Sequence, residues 1–266
     1  MHELFLISHC SDEDVPKATK LLQGFCEMAP VSIINRRLIW EAPQVPKQRG
    51  LDPQFLMRQP QHRLPLWKAL QDSLTRQAYY VNLVYGVSRD QFASVATDVR
   101  NEEGREREQL SLDDMPGSLY WVDWPDPKSS RPVNSRNAAS MDNERGLCSL
   151  MRSMGYKLNK EIIEEGFRFI HGNVIIHIHR YFDTPSTVQE VVKATFSTAL
   201  PSYESLIPFD SENKWIVKAQ VDVLNANDQD HVQKGIDELL SVRDAFDGYF
   251  DFPVLERRML DTRVRT

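Results

Sequence analysis

The feature that most constrains this chain is a series of β-strand segments with too few helices between them for a repeated strand–helix–strand fold. The clearest segments are 77–87 and 212–224, where apolar side chains occupy every second position. Such alternation gives a strand one apolar and one polar face. The apolar faces hold Tyr79, Val81, Leu83 and Tyr85 in the first segment and Trp215, Val217, Ala219, Val221 and Val223 in the second.

The rest of the chain adds further strands and three helices. Helices are predicted after Asp14, over 143–154 with Gly155 as a left-handed stop, and from Asn227 or Asp228 to Gly248. A further segment, 187–196, is ambiguous but rich in β-branched residues. The remaining predicted strands are 2–8, 31–41, 117–124, 131–140, 156–170 and 174–182. The pattern predicts a β-dominated α+β fold, with an antiparallel sheet that is open or closed into a barrel and helices outside.

Two polar segments interrupt this pattern. Residues 42–65 are rich in Pro, Gln and Arg, and 100–115 carry charges of both signs with few apolar residues. Neither has a helical or strand period, so both are predicted to be mobile loops. We expect one domain over residues 1–266.

Composition excludes several classes of function. A formal charge of −6 disfavours non-specific binding of nucleic acid, which depends on Lys and Arg replacing phosphate counterions. No apolar run approaches ~20 residues, and no leader is visible, so neither a membrane span nor a secreted protein is expected. The three cysteines, Cys10, Cys26 and Cys148, match no zinc or redox spacing and indicate a reducing compartment.

Two histidines form the strongest candidate site. His177 and His179 lie one residue apart in a strand, on the same face as Ile175 and Tyr181. Such a pair can chelate a metal, but zinc needs at least a third protein ligand. In the other interpretation the opposite face packs in the core, and the histidines face solvent, a partner or a barrel interior. We expect no tight metal binding.

Catalytic motifs are weak. Phosphate-binding glycine loops and the G-x-S-x-G serine motif are absent. Glu106 and Glu108 form a Glu-x-Glu pair, but in the charged segment without strand character. The predicted strands hold no such pair. Cys148 lies in a predicted helix, where a packing role is expected. No catalytic, cofactor or metal residue is therefore predicted.

The order of motifs resembles one family, Mediator of RNA polymerase II transcription subunit 18 in the form found in filamentous fungi. The resemblance runs from "MHELFLIS" and "NRRLIWE" through "RPVNSR" to "WIVKAQVDVL" and "LDTRVR". It is strongest in "LCSLMRSMGYKLNKEIIEEGFRFIHGNVIIHIHRYF". The positions that match the family pattern there are Gly155, Tyr156, Glu161, Gly166, Phe167 and Phe169.

The resemblance implies a closed multistranded β-barrel flanked by helices. It also implies a nuclear, non-enzymatic role in the Mediator head module, which relays activator signals to RNA polymerase II. The expected partners are subunit 20, as a heterodimer, and a C-terminal helix of subunit 8. The family barrel looks like that of metal-dependent RNA triphosphatases. Those enzymes need strand-borne glutamates lining the tunnel, which we expect this sequence to lack. A metal-dependent phosphohydrolase of this tunnel type is the alternative function.

Overall fold

The computed structural model describes residues 1–45, 50–92, 111–127, 131–185 and 196–265. These ranges contain nine strands and five α-helices. The strands are β1 (His2–Cys10), β2 (Val31–Glu41), β3 (Tyr80–Gly86), β4 (Gly117–Val122), β5 (Asn134–Glu144), β6 (Lys157–His171), β7 (Val174–Asp183), β8 (Ile207–Pro208) and β9 (Trp215–Val223). The helices are α1 (Val15–Cys26), α2 (Pro53–Arg58), α3 (Leu64–Arg76), α4 (Leu147–Ser153) and α5 (Gln229–Ala245).

Eight strands close into an antiparallel barrel. Their order is β6-β2-β3-β4-β5-β1-β9-β7, and β7 pairs with β6 to complete the circle. The two-residue strand β8 is an addition at the end of β7. The predicted β-dominated α+β fold and its closure are confirmed. Of the five helices in the described ranges, none is long and apolar enough to cross a membrane.

The apolar core lies outside the barrel wall, beneath the helices. Helices α1 and α5 cover the side formed by β1, β7 and β9, where Leu4, Ile178 and Val217 are buried. Helices α3 and α4 cover another side, where Trp67 and Leu83 are buried. Each fully buried large apolar side chain contributes about 1.5–3 kcal/mol to the free energy of unfolding. The two apolar faces predicted from alternation are therefore the outer faces of β3 and β9.

The prediction of an irregular loop over 42–65 is wrong in part. This segment contains α2 and the first residues of α3. The proline content that suggested a loop is compatible with both helices, because Pro53 and Pro65 lie in first turns, where no backbone N–H is needed. Helix α3 is held by its buried side chains Trp67, Leu70 and Leu74.

The second predicted loop and the ambiguous strand lie largely outside the described residues. Of segment 100–115, the described part begins at residue 111 and forms a short turn in which Leu112 is buried. The Leu112 N–H donates to the carbonyl of Phe196, 2.8 Å away. Residues 187–195 of the ambiguous strand are not described, and the mobility of both loops stays a prediction.

The last residues form a tail, 251–265, that binds across one end of the barrel wall. The backbone N–H of Tyr80 donates to the carbonyl of Thr262 at 2.8 Å, so the tail is tied to the start of β3. The ring of Trp124 packs against the guanidinium groups of Arg257 and Arg263, 3.8 and 3.3 Å from its centroid. The tail therefore joins the ends of β3 and β4.

Gly166 marks the closest approach between β6 and β7. A Cβ atom built on it would lie 2.2 Å from the carbonyl oxygen of Ile178 and 2.7 Å from the Cα of His179. Both obstacles include backbone atoms, which cannot turn away as a side chain can. The seam that closes the barrel therefore requires glycine here.

We predict that Gly166→Ala lowers the free energy of unfolding by about 3 kcal/mol, because the added methyl group forces the seam apart. Urea unfolding followed by circular dichroism measures the change. Gly24→Ala is the matched control. Gly24 lies in α1, and no atom lies within 4 Å of the place that its added methyl group would occupy, so this change stabilises by up to about 1 kcal/mol. A loss below about 1 kcal/mol for Gly166→Ala would contradict the crowding described above.

Candidate functional site: the charged lumen of the barrel

The inner face of the barrel carries charged and polar side chains among aliphatic ones such as Ile7, Ile39 and Ile162. The two-residue period that sends one set of side chains outward sends the alternate residues into the lumen. The lumen contains a cavity of about 500 Å³. Its charged and aromatic polar lining residues are Arg37, Tyr120, Arg136, Glu164, His177, His179, Tyr181 and Lys218.

One carboxylate of the lumen belongs to Glu3 on β1. It accepts hydrogen bonds from Arg136 Nε at 2.6 Å, from Tyr120 Oη at 3.1 Å and from Lys218 Nζ. Burial alone would raise the pKa of Glu3, but the charges of Lys218 and Arg136 outweigh burial and lower the pKa to about 2. The ring of Phe5 lies beneath both cations. Glu3 is therefore a fixed anion that joins β1 to its two neighbours, β5 and β9.

The second carboxylate of the lumen belongs to Glu164 on β6. Arg37 Nε and Nη2 donate to its two oxygens at 2.8 and 3.1 Å, and Asn35 Nδ2 donates at 2.8 Å. Burial would raise the pKa of Glu164, but the charge of Arg37 dominates and lowers the pKa to about 2. This bidentate pair joins β6 to β2.

His177 and His179 face the barrel interior, which decides between the environments left open by the sequence. They lie on β7, between the strand of Glu164 and the strand of Lys218. His177 Nε2 and His179 Nδ1 are buried and have no hydrogen-bond partner among the described residues. The pKa of each is lowered to about 4, chiefly by burial, and for His177 the charge of His179 acts in the same direction. Both imidazoles are therefore neutral at pH 7.

Glutamates do line this tunnel, so the expectation that strand-borne glutamates are absent from it is wrong. Glu3 and Glu164 were missed as a pair because they come from different strands, and a search for Glu-x-Glu within one strand cannot find them. Each is already bound by Arg or Lys. Among the residues with described positions, no group of three or more His, Cys, Asp or Glu could hold a metal ion. Glu106 and Glu108 lie outside those positions.

The sequence motif on β6 consists of residues that hold the wall together. Glu161, on the outer face, accepts from Arg36 Nε at 2.8 Å, and both side chains are fully buried. Burial raises the pKa of Glu161 against the opposing charge of Arg36. Phe167 stacks on Trp215, with ring planes 9° apart and centroids 6.4 Å apart. Phe169 is also buried.

The two remaining motif residues and the helix cysteine have packing roles. Gly155 has a φ of 73°, as predicted for a left-handed helix stop, and Tyr156 after it is buried. Cys148 is a buried packing residue as predicted, with its Sγ 3.5 Å from Tyr85 Oη. Burial raises the pKa of the Cys148 thiol to about 12, which makes it a poor nucleophile.

These features define a class: closed antiparallel β-barrels whose lumen charges pair with one another and whose apolar core lies outside, under helices. The family model described as Med18 protein matches residues 2–263. The chain belongs to this Med18 family, which confirms the resemblance read from its motifs.

Similar proteins agree in length and in fold. Mediator of RNA polymerase II transcription subunit 18 from Neosartorya fischeri is 24% identical over 276 residues, with 100% of each chain covered. The protein of the same name from Aspergillus niger is also 24% identical with the same coverage. A chain from the structure of the Schizosaccharomyces pombe Mediator head module has the same fold, with a TM-score of 0.62 and 16% identity. The match covers 96% of this chain and 99% of that chain.

We predict that Arg37→Met lowers the free energy of unfolding by about 3–5 kcal/mol, because it leaves the Glu164 carboxylate buried without its cation. Urea unfolding at pH 7 measures the loss. The matched control is Glu212→Gln, which breaks the exposed pair with Lys214 and changes stability by less than about 1 kcal/mol. Equal, small effects of the two substitutions would show that the lumen pair does not stabilise the fold.

The lumen histidines also predict that the folded protein loses stability at acidic pH. Their folded pKa values, about 4, lie below the ordinary value of 6.5, so the unfolded chain binds more protons than the folded chain between these pH values. The free energy of unfolding therefore falls as pH falls from about 6.5 to about 4, by on the order of 3 kcal/mol per histidine. Glu3 and Glu164, with pKa values about 2, stay ionised throughout this window.

Urea unfolding across this pH range measures the effect in the wild-type protein and in the double variant His177→Gln/His179→Gln. The double variant is expected to lose most of the pH dependence. If the free energy of unfolding of the double variant changes with pH as steeply as that of the wild type, the pH dependence belongs to other groups.

Proposed function

We propose that this protein is a non-enzymatic structural and regulatory subunit of the Mediator head module, acting in the nucleus as a coactivator scaffold for RNA polymerase II transcription. The observation that carries the proposal is the match of the Med18 family model to residues 2–263. The full-length agreement with curated proteins named Mediator subunit 18 supports it.

The chemistry of the lumen supports a scaffold role. Metal-dependent phosphohydrolysis needs carboxylates that are free to coordinate a cation. Glu3 is bound by Arg136 and Lys218, and both oxygens of Glu164 are bound by Arg37. A cation would have to break these ion pairs. The charges serve instead to fix neighbouring strands, so the tunnel-enzyme alternative is disfavoured.

For partners, we propose a heterodimer with subunit 20 and the docking of a C-terminal helix of subunit 8. The outer surface has apolar side chains available for such contacts. Leu224, just after β9, is 88% exposed, and Ile207 and Phe209 near β8 are 61% and 59% exposed. Large apolar side chains are common anchors of protein interfaces. The proposal therefore assigns binding to the outer surface and stability to the lumen.

The test is co-expression with subunits 20 and 8 from the same source, followed by size-exclusion chromatography with mass determination. We predict a stoichiometric heterodimer or trimer, with no Mn²⁺- or Mg²⁺-dependent release of phosphate from a triphosphate substrate. Folded protein that elutes as a monomer in the presence of both partners would refute the scaffold proposal.

A matched pair of variants distinguishes partner binding at the outer surface from partner binding in the lumen. His177→Gln changes only the lumen and is expected to leave complex formation intact, because the outer surface is unchanged. The triple variant Ile207→Ser/Phe209→Ser/Leu224→Ser removes exposed apolar groups and is expected to weaken binding of at least one partner. Loss of binding in His177→Gln, with intact binding in the triple variant, would instead indicate that a partner binds in the lumen.

A further inference from the structure

A row of three basic residues crosses the lumen side of the barrel wall. Arg168 on β6 lies directly opposite His177 on β7, and His177 lies directly opposite Lys218 on β9. Residues paired in this way lie on the same face of the sheet, with Cβ atoms about 4.5–5.5 Å apart. His177 and Lys218 line the cavity, and Arg168 is the exposed end of the row. At pH 7 the two cations of the row, Arg168 and Lys218, lie on either side of the neutral His177.

Among the described residues, the charge compensation of these two cations is incomplete. Lys218 is paired with Glu3. Arg168 has no ion pair with any residue of the described ranges, and His177 Nε2 is buried there without a hydrogen-bond partner. Another lumen carboxylate, Glu164, has both oxygens bound by Arg37.

We propose that the row Arg168, His177 and Lys218 is a binding site for a small multivalent oxyanion of the phosphate type. The three side chains supply a planar guanidinium fork, an imidazole N–H and an ammonium group from three adjacent strands. An arginine fork matches two oxygens of such an anion, and lysine adds a point charge. The cavity of about 500 Å³ leaves room for the anion beside them.

The surroundings select an anion over a metal cation. Arg168 and Lys218 flank His177 on both sides and repel a cation. The charged or titratable groups that act on His177 are His179 from its own strand, Glu164 and Arg168 from β6, and Lys218 from β9. The inference goes beyond the scaffold role and does not depend on it.

Nuclear magnetic resonance of the histidine rings in the full-length protein tests the site, with inorganic phosphate as the probe at constant ionic strength. We expect a saturable shift of the His177 ring signals and a rise in the His177 pKa when phosphate is bound. Arg168→Gln is expected to weaken phosphate binding at least about tenfold. Lys20→Gln, an equal loss of charge at an exposed position on α1, is the control and leaves the affinity unchanged.

His177→Gln provides a second variant, read by calorimetry with phosphate, and is also expected to weaken binding. A response that never saturates would overturn the proposal. So would equal responses to phosphate in wild-type protein and Arg168→Gln, or the same response to chloride alone.

Discussion

The structure depends on the pairing of opposite charges inside the barrel. Glu3 and Glu164 lie on different strands, and each is bound by cations from the strands beside it. Desolvating a carboxylate costs several kcal/mol unless such partners compensate it. Each of these ion pairs joins two neighbouring strands. The charges are therefore compensated only when the strands pair in the correct register. A slip of one residue would place these charges beneath the helices and would leave them unpaired.

A charged lumen requires the apolar core to be elsewhere. The outer face of the wall carries the hydrophobic residues, and helices α1, α3, α4 and α5 shield them from water. The molecule is therefore layered from a centre that holds paired charges, through an apolar shell, to a polar surface. The outer surface is therefore separated from the lumen by this apolar shell, which suits a subunit that works through contacts.

The sequence predicted the strands and their faces better than it predicted the environment of each face. Alternation identified Trp215 and its partners as one apolar side, but only closure shows that this side is the outer one. The same limit applied to His177 and His179, whose shared face was clear and whose environment was not. Helix α3 was missed because it follows a segment rich in proline and polar residues, and only three of its side chains are buried. Glu164 was missed because its pairing with Arg37 joins residues far apart in the chain.

The strand order also has a consequence for folding kinetics. β1 pairs with β5 and β9, so the first strand of the chain finds its second neighbour only after residue 215 has been synthesised. The β6–β7 hairpin can form locally, whereas the pairing of β1 with β9 requires contacts across more than two hundred residues. Folds with such distant contacts are slow to form. During synthesis on the ribosome, both edges of β1 lack their native partners until β5 is made, and one edge lacks its partner until β9 is made.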